Sequence, residues 1–419
     1  MSTPALRMAE DVGLLPPSGI RAIASAAWAV PDAIHLEFGE PDFDTPTHVV
    51  DAGARAARDG RTRYAPTPGI PELRDAVCAK LARDNAITEA TRDHVIVTPG
   101  GVGGLTLAYR ALLETGSEVL VPDPGWPNLR TIADIVKAVP VPYRLTADRD
   151  YQPDVDALDS LVTDRTRAIV VNSPSNPLGS VWSRASIEAV AEWATSRGLW
   201  IISDECYDQL WLDEPSTSIS AVAPDAAVVT VFSLSKTYAM TGWRIGYAYA
   251  DPAVITRMAK VQETTTSSVS TPTQHAAIAA LTGDQAGVAA MRSTYRSRRD
   301  AAVQRATELG LDVLRPSGAF YLWVRLPVGA GDATTFALNL LERTGVAVAP
   351  GPAFGAGGEG HVRVSLAAAQ PHLMHGLDCI AEVALSASPS YEPSRQRRRT
   401  PPSSQARTTP LHVTSLEEN

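Results

Sequence analysis

Lysine is nearly absent from this 419-residue chain: Lys80, Lys137, Lys236 and Lys260 are all it has. Cysteine is scarcer still, and Cys78, Cys206 and Cys379 lie far apart, in no pairing or metal-ligand spacing. A disulfide-stapled scaffold is thereby excluded, and free thiols in a reducing compartment are expected. The histidines are equally scattered; His372 and His375 are three apart, but no cysteine or carboxylate cluster joins them, so no metal site is expected. No apolar run approaches the roughly 18 residues of a membrane span. The first residues carry Glu10 and Asp11 instead of a basic start and an apolar stretch, so no signal peptide and a cytoplasmic location are expected. Basic excess is missing too: the net charge of −9 argues against nucleic acid as the main partner. What remains is an ordinary globular composition, 44% hydrophobic and 20% charged, long enough for two structured lobes and a tail.

From residue 93 to 250, β-branched apolar runs alternate with longer amphipathic ones. The runs His94–Thr98, Glu118–Pro122, Ala168–Asn172, Leu199–Asp204, Ala227–Ser233 and Arg244–Ala250 read as strands. Gly101–Glu114, Trp126–Lys137 and Ser183–Arg197 read as helices between them. Such alternation predicts an α/β domain with a mostly parallel, buried sheet, whose ligands gather at the carboxyl ends of the strands. A long helix over Gln285–Leu309 then leads into strand-like Phe320–Leu326, helix Ala333–Arg343, strand-like Val346–Pro350 and His361–Leu366, and a last helix through Leu385. This predicts a smaller α+β lobe. The expected division is an N-terminal segment (1–46) packing with the small lobe, a large domain (47–284), a small domain (285–385) and a tail (386–419). That tail is rich in Ser, Pro, Thr and Arg, cannot bury a core, and is expected to be disordered.

Three of the four lysines fall on helix-like segments where solvation is the default. Lys236 does not. It follows the run Ala227–Ser233 in Ser233-Leu-Ser-Lys-Thr-Tyr238, with Gly242-Trp-Arg-Ile-Gly246 close behind. A lysine at the carboxyl end of a central strand, beside small hydroxyl residues, is placed for chemistry. Ser233–Lys236 also fits the S-x-x-K of serine acyl-transfer enzymes, but the companion K-T-G is missing, and Ser203-Asp-Glu, the nearest match to S-D-N, sits inside a strand. Imine chemistry fits better. It needs, besides the lysine, a carboxylate for a pyridine nitrogen and a cradle for phosphate. Ile202-Ser-Asp-Glu-Cys-Tyr207 ends a buried strand with Asp204; Thr98-Pro-Gly-Gly-Val-Gly-Gly-Leu105 joins a strand to a helix start able to hold an anion. Each feature alone has a plainer explanation, since a strand-end Asp often caps the next helix and Asn-Pro often marks a turn.

Taken together and in order, the motifs resemble those of the class I/II aminotransferases, the pyridoxal-phosphate enzymes of the aspartate aminotransferase fold (fold type I). The resemblance runs from about Leu14 to Leu385. It implies that Lys236 binds pyridoxal 5'-phosphate as a Schiff base and moves the substrate's Cα proton. It implies that Asp204 faces the pyridine nitrogen, that Tyr207 and Asn176 (in Asn172-Ser-Pro-Ser-Asn-Pro-Leu-Gly179) reach the ring's phenolate oxygen, and that Trp126 (in Asp123-Pro-Gly-Trp-Pro127) stacks on the ring. Gly101, Val102, Ser233, Ser235 and Arg244 are implied to cradle the phosphate; Val102 departs from the hydroxyl or lysine of many relatives and can offer only its backbone. Arg363, in His361-Val-Arg-Val-Ser365, is implied to clamp the substrate α-carboxylate, with Asn176 and Gly39, in Gly39-Glu-Pro-Asp-Phe-Asp-Thr-Pro46, lining the same pocket. Tyr64 matches a tyrosine that reaches the phosphate of a neighbouring subunit, which implies a homodimer with shared active sites.

The implied activity is ping-pong transfer of an amino group between an L-amino acid and a 2-oxo acid. A same-fold lyase, decarboxylase or cyclase would keep Lys236, Asp204 and Arg363 and differ only in the pocket lining. A transcription regulator with a domain of this type would need a DNA-binding module, and about forty residues before Gly39 are expected to be too few. Arg21 and Arg110 could meet a second carboxylate on the substrate, although a helix surface is the ordinary place for both. Ser18-Gly-Ile-Arg21 lines the pocket by position alone.

Overall fold

The computed structural model describes residues 10–386. The expected disordered tail therefore lies outside the described residues, apart from Ser386, which closes the last helix, Gln370–Ser386. At the other end, helix Gly19–Trp28, capped by Ser18, leads to a two-residue strand, β1 (Ile34–His35).

The large sheet has seven strands: β2 (Val95–Thr98), β3 (Glu118–Asp123), β4 (Val139–Arg144), β5 (Thr166–Asn172), β6 (Trp200–Asp204), β7 (Val228–Ser233) and β8 (Gly246–Ala250). Their spatial order is β2-β8-β7-β6-β5-β3-β4. The five strands from β7 to β4 run parallel, whereas β8 is antiparallel to both β7 and β2. The α/β class and the mostly parallel sheet are as expected. Both faces are covered, as a parallel sheet requires. Along β5, Ala168 and Val170 enter one apolar cluster with Leu105 and Ile132, while Ile169 and Val171 enter another with Ile187 and Val190. This two-residue alternation sends successive side chains into opposite layers.

Two details correct the sequence reading of this sheet. Its last strand starts at Gly246, not Arg244, because Arg244 sits in left-handed backbone at φ 53° and turns the chain instead of extending it. The edge strand β4 was not expected at all: Pro140 and Pro142 alternate through it, and proline argues against a central strand but suits an edge that needs few donors.

Beyond the large sheet, the 23-residue helix Ala286–Glu308 precedes β9 (Asp312–Leu314) and β10 (Tyr321–Arg325). The run expected as one strand over Val346–Pro350 is two: β11 (Val346–Ala347) pairs in parallel with β1, and β12 (Ala349–Pro350) pairs antiparallel with β13 (His361–Ser365). The chain changes sheet at Val348, so one apolar run serves two partners. The second sheet has the order β12-β13-β10-β9. Its core joins Leu322, Val324, Val362 and Val364 to Ile23 and Leu36, which ties the N-terminal segment to this lobe. No helix among the described residues is long and apolar enough to cross a membrane.

Candidate active site

Asn172, Asp204 and Ser233 end the adjacent parallel strands β5, β6 and β7 and open on one cavity of about 780 Å³. From β13, Arg363 enters the same cavity, and Gly39 reaches it from the N-terminal segment. Every residue expected at the site lines it except Tyr64, which is 93% exposed and stands outside it. A second cavity of about 810 Å³, between Arg144 and Arg325, contains none of these residues.

Lys236 lies on the short helix Leu234–Thr237 that follows β7, where Ser233 accepts the Ser235 N–H through its hydroxyl at 3.2 Å. Its Nζ donates to the Gly39 carbonyl at 2.6 Å. Burial pulls its ammonium down to about 8, with Arg363 and Arg244 adding to the effect and Cys206 and Glu40 opposing it. A cation with this little solvation gives up its proton readily. Asp204 is buried, and one carboxylate oxygen accepts the Cys206 N–H at 3.1 Å, the local capping contact that the sequence also allowed. Burial raises its carboxyl above the ordinary range, against the lowering pull of Cys206 and Lys236. Its main chain is tied to the neighbouring strand, because the Asn172 amide donates to the Asp204 carbonyl at 3.2 Å.

Arg363 is only 2% exposed. One of its terminal nitrogens donates to Asn176 Oδ1 at 2.8 Å and the other to the Glu37 carbonyl. The guanidinium lies over the Tyr321 ring at 4.3 Å from the centroid, and its Nε–H is buried with no hydrogen-bond partner among the described residues. A rigid fork with a free donor, held in a dry wall, suits an incoming planar carboxylate. The snorkelling arrangement open to a strand arginine does not occur here.

The anion cradle gathers where helix Gly100–Leu112 begins. A Cβ on Gly100 would stand 2.6 Å from an Arg244 terminal nitrogen, and one on Gly101 would stand 2.5 Å from Cys206 Sγ and 3.9 Å from Ser233 Oγ. Glycine at both positions lets the arginine, the serine and the free N–H groups of a 13-residue helix converge. Arg244 is steadied by donating to the Thr241 carbonyl at 2.8 Å. Trp126 forms part of the wall just before helix Pro127–Val136, so that helix starts one residue later than expected.

Sequence reading missed several residues here. Tyr207 shares a 2.7 Å hydroxyl–hydroxyl hydrogen bond with Tyr321, and their rings meet edge to face. Tyr321 sits in an apolar run that reads simply as a strand, so nothing distinguishes its hydroxyl. Cys206 reads as an ordinary buried thiol. Trp28 and Phe38 stack on each other at 5.8 Å and line the cavity, as do Ile20 and Arg21. Of the two arginines considered for a second carboxylate, Arg21 lines the cavity, whereas Arg110 does not.

The chain is also similar to known proteins. A family model described as aminotransferase class I and II matches residues 31–377. The aspartate/prephenate aminotransferase of Thermus thermophilus is 41% identical over 355 residues, covering 84% of this chain and 91% of that protein. The aspartate aminotransferase of Pyrococcus abyssi is 35% identical over 383 residues, covering 90% and 98%. Among solved structures, a Thermus thermophilus aspartate aminotransferase with maleate superposes with a TM-score of 0.86 at 39% identity, covering 90% of this chain and all of that one.

Proposed function

This chain belongs to the class I and II aminotransferases, and from that membership we propose that it uses pyridoxal 5'-phosphate, held at Lys236, to move amino groups between an L-amino acid and a 2-oxo acid. The amino-transfer chemistry follows from the family. A lyase, decarboxylase or cyclase is not favoured, since the relatives above are named for amino transfer. The observation that carries the cofactor reading is the convergence of a half-buried, easily deprotonated lysine, a buried strand-end carboxylate and an anion cradle on one cavity. These residues fit the group: the cradle suits a phosphate, Asp204 is buried with no ion pair among the described residues, and Trp126 offers a flat wall.

When bound, pyridoxal phosphate supplies a Schiff-base carbonyl and an electron sink. The chain's own residues do the rest. Gly101, Val102, Ser233, Ser235 and Arg244 would hold the phosphate, and the buried Asp204 would favour a protonated pyridine nitrogen opposite it. Tyr207 and Asn176 would donate to the ring oxygen, and Trp126 would stack on the ring. Arg363, with Asn176 and the Gly39 backbone, grips the substrate α-carboxylate and so fixes where the Cα–H bond points. The Lys236 amine, released from the Gly39 carbonyl, would take that proton as general base and, as general acid, deliver it to the carbon on the far side of the substrate nitrogen.

Both half-reactions use one pocket, so each 2-oxo acid must leave by the route its amino acid entered. Tyr64, exposed and remote from this chain's own cavity, supports a homodimer in which it reaches the partner's phosphate. A small lobe from residue 285 to 385, with the N-terminal 46 residues riding on it, and a cytoplasmic location consistent with three free cysteines complete the proposal.

The lining that remains beyond the residues assigned above narrows the substrate. Ile20, Trp28 and Phe38 add apolar surface to it, and Arg21 makes no ion pair among the described residues. This supports donors with an apolar body, an acidic end, or both, as the relatives named for aspartate and prephenate suggest. Arg21→Ala is expected to lower kcat/KM for L-aspartate by about 10- to 100-fold, the worth of a charge-assisted hydrogen bond, and to leave L-phenylalanine within about twofold. An equal loss for both donors in steady-state assays would remove Arg21 from the substrate pocket. The cofactor reading itself is tested by the absorbance of purified protein: a visible band bleached by amino acids, with the matching 2-oxo acid released, supports it, and no band after incubation with pyridoxal phosphate sinks it.

A further inference from the structure

Tyr321 touches three parts of the site at once, and the function proposed above gives it no task. Its strand position explains how. In the pairing of β10 with β13, Trp323 stands opposite Arg363, and Tyr321 lies two residues along on the same face. The Arg363 guanidinium therefore rides over the Tyr321 ring, which is only 1% exposed. The hydroxyl of that ring shares the 2.7 Å hydrogen bond with Tyr207, the two rings meeting at 78°. Room for it comes from Gly39, where a Cβ would stand 2.1 Å from the Tyr321 oxygen. A side chain at position 39 would push the hydroxyl aside.

We propose that Tyr321 is a positioning residue whose hydroxyl donates to Tyr207, aiming and strengthening the hydrogen bond that Tyr207 makes to the cofactor's ring oxygen. The proposal rests on Tyr207 being a donor to that oxygen. A phenol has one proton to give and can also accept. Taken alone, either oxygen of the pair can be the donor. Once Tyr207 spends its proton on the ring oxygen, it can enter the 2.7 Å contact only as acceptor, so the proton there comes from Tyr321. Each bond in such a chain polarises the next, and burial keeps water from weakening the effect. A stronger donor stabilises negative charge on the ring oxygen. The Schiff-base proton that this oxygen would otherwise hold then leaves at lower pH. Tyr321 meets no reacting atom itself and acts through Tyr207.

The test is an absorbance titration of the holoenzyme with pH, reading the midpoint at which the visible band changes as the Schiff-base proton leaves. Tyr321→Phe removes one oxygen and keeps the ring under Arg363. It is expected to raise the midpoint by about 0.3 to 1 pH unit, which is a roughly two- to tenfold tighter hold on the proton. Tyr207→Phe removes the direct donor and is expected to tighten that hold by about tenfold or more. The double variant is expected to match Tyr207→Phe, because Tyr321 acts only through Tyr207. Removing both partners leaves no unpaired hydroxyl, so the double variant keeps its fold. A merely structural tyrosine would change the melting temperature and leave the midpoint where it was. An unmoved midpoint in Tyr321→Phe, beside a raised one in Tyr207→Phe, overturns the proposal, and so does a double variant that moves beyond Tyr207→Phe. An unmoved midpoint in Tyr207→Phe means instead that the reading of Tyr207 as donor to the ring oxygen has failed, and the proposal falls with it.

Discussion

Lys236→Ala should abolish amino transfer, with a loss of at least about 10⁴-fold in turnover, since it removes the attachment point and the proton carrier together. The visible band of the holoenzyme should vanish with it, while the fold persists, because the side chain's one hydrogen bond is to a backbone carbonyl at the edge of a cavity. Lys80, also buried, cannot substitute: it is locked between Asp208 and Asn85. The same lysine predicts a pH dependence. With its ammonium pulled down to about 8 from 10.5, the neutral amine that captures the cofactor is the minor form below pH 8 and the major form above it. The rate at which cofactor-free protein takes up pyridoxal phosphate should therefore rise by about tenfold per unit below pH 8 and level off above it. Stopped-flow absorbance across pH 6 to 10 reads this directly. A rise that continues to about pH 10.5 would mean that the site does not desolvate Lys236.

The fold was legible wherever one physical rule acted alone. β5, β6 and β7 are apolar runs buried on both faces, and each ends in the residue that the site needs: Asn172, Asp204 and Ser233. Where two rules competed, the reading slipped. The prolines of β4 hid a strand that tolerates them only because it is an edge. The apolar run at 346–350 looked like one strand because periodicity is blind to a change of partner at Val348. The site divides in the same way. Lys236 stood out because lysine is rare and the position is wrong for a solvated one. Tyr321, Cys206 and Glu37 were invisible: two of them read as apolar core, and a single glutamate in an extended segment reads as surface. Nothing local says that Glu37 has no exposure at all, since that follows from packing 326 residues away in sequence, where its carbonyl meets Arg363.

Asp204→Asn is the second change with a large expected effect, and its logic differs from that of Lys236. Asp204 is buried, accepts one backbone N–H, and has its carboxyl raised by burial. In that setting an ionised carboxylate is costly unless a cation faces it, and a protonated pyridine nitrogen at the cavity floor would be such a cation. Breaking a buried charge pair by removing one member costs about 3–5 kcal/mol. Asparagine keeps the size and can still accept the Cys206 N–H, but it cannot hold a proton on the ring nitrogen. Cofactor affinity should therefore fall by roughly 10²- to 10³-fold, and turnover at saturating cofactor by a similar factor, because the unprotonated ring is a weaker electron sink. Stability without cofactor should move the other way. The neutral amide relieves a desolvated acid, so the melting temperature of the cofactor-free variant should equal or exceed that of the wild type once the pH is high enough to ionise this raised carboxyl. The sign check is that a carboxyl raised by burial binds protons more readily folded than unfolded, so its ionisation opposes folding as pH increases. A variant that loses stability without cofactor, yet retains affinity for it, would mean that Asp204 serves the turn into Tyr207 rather than the ring.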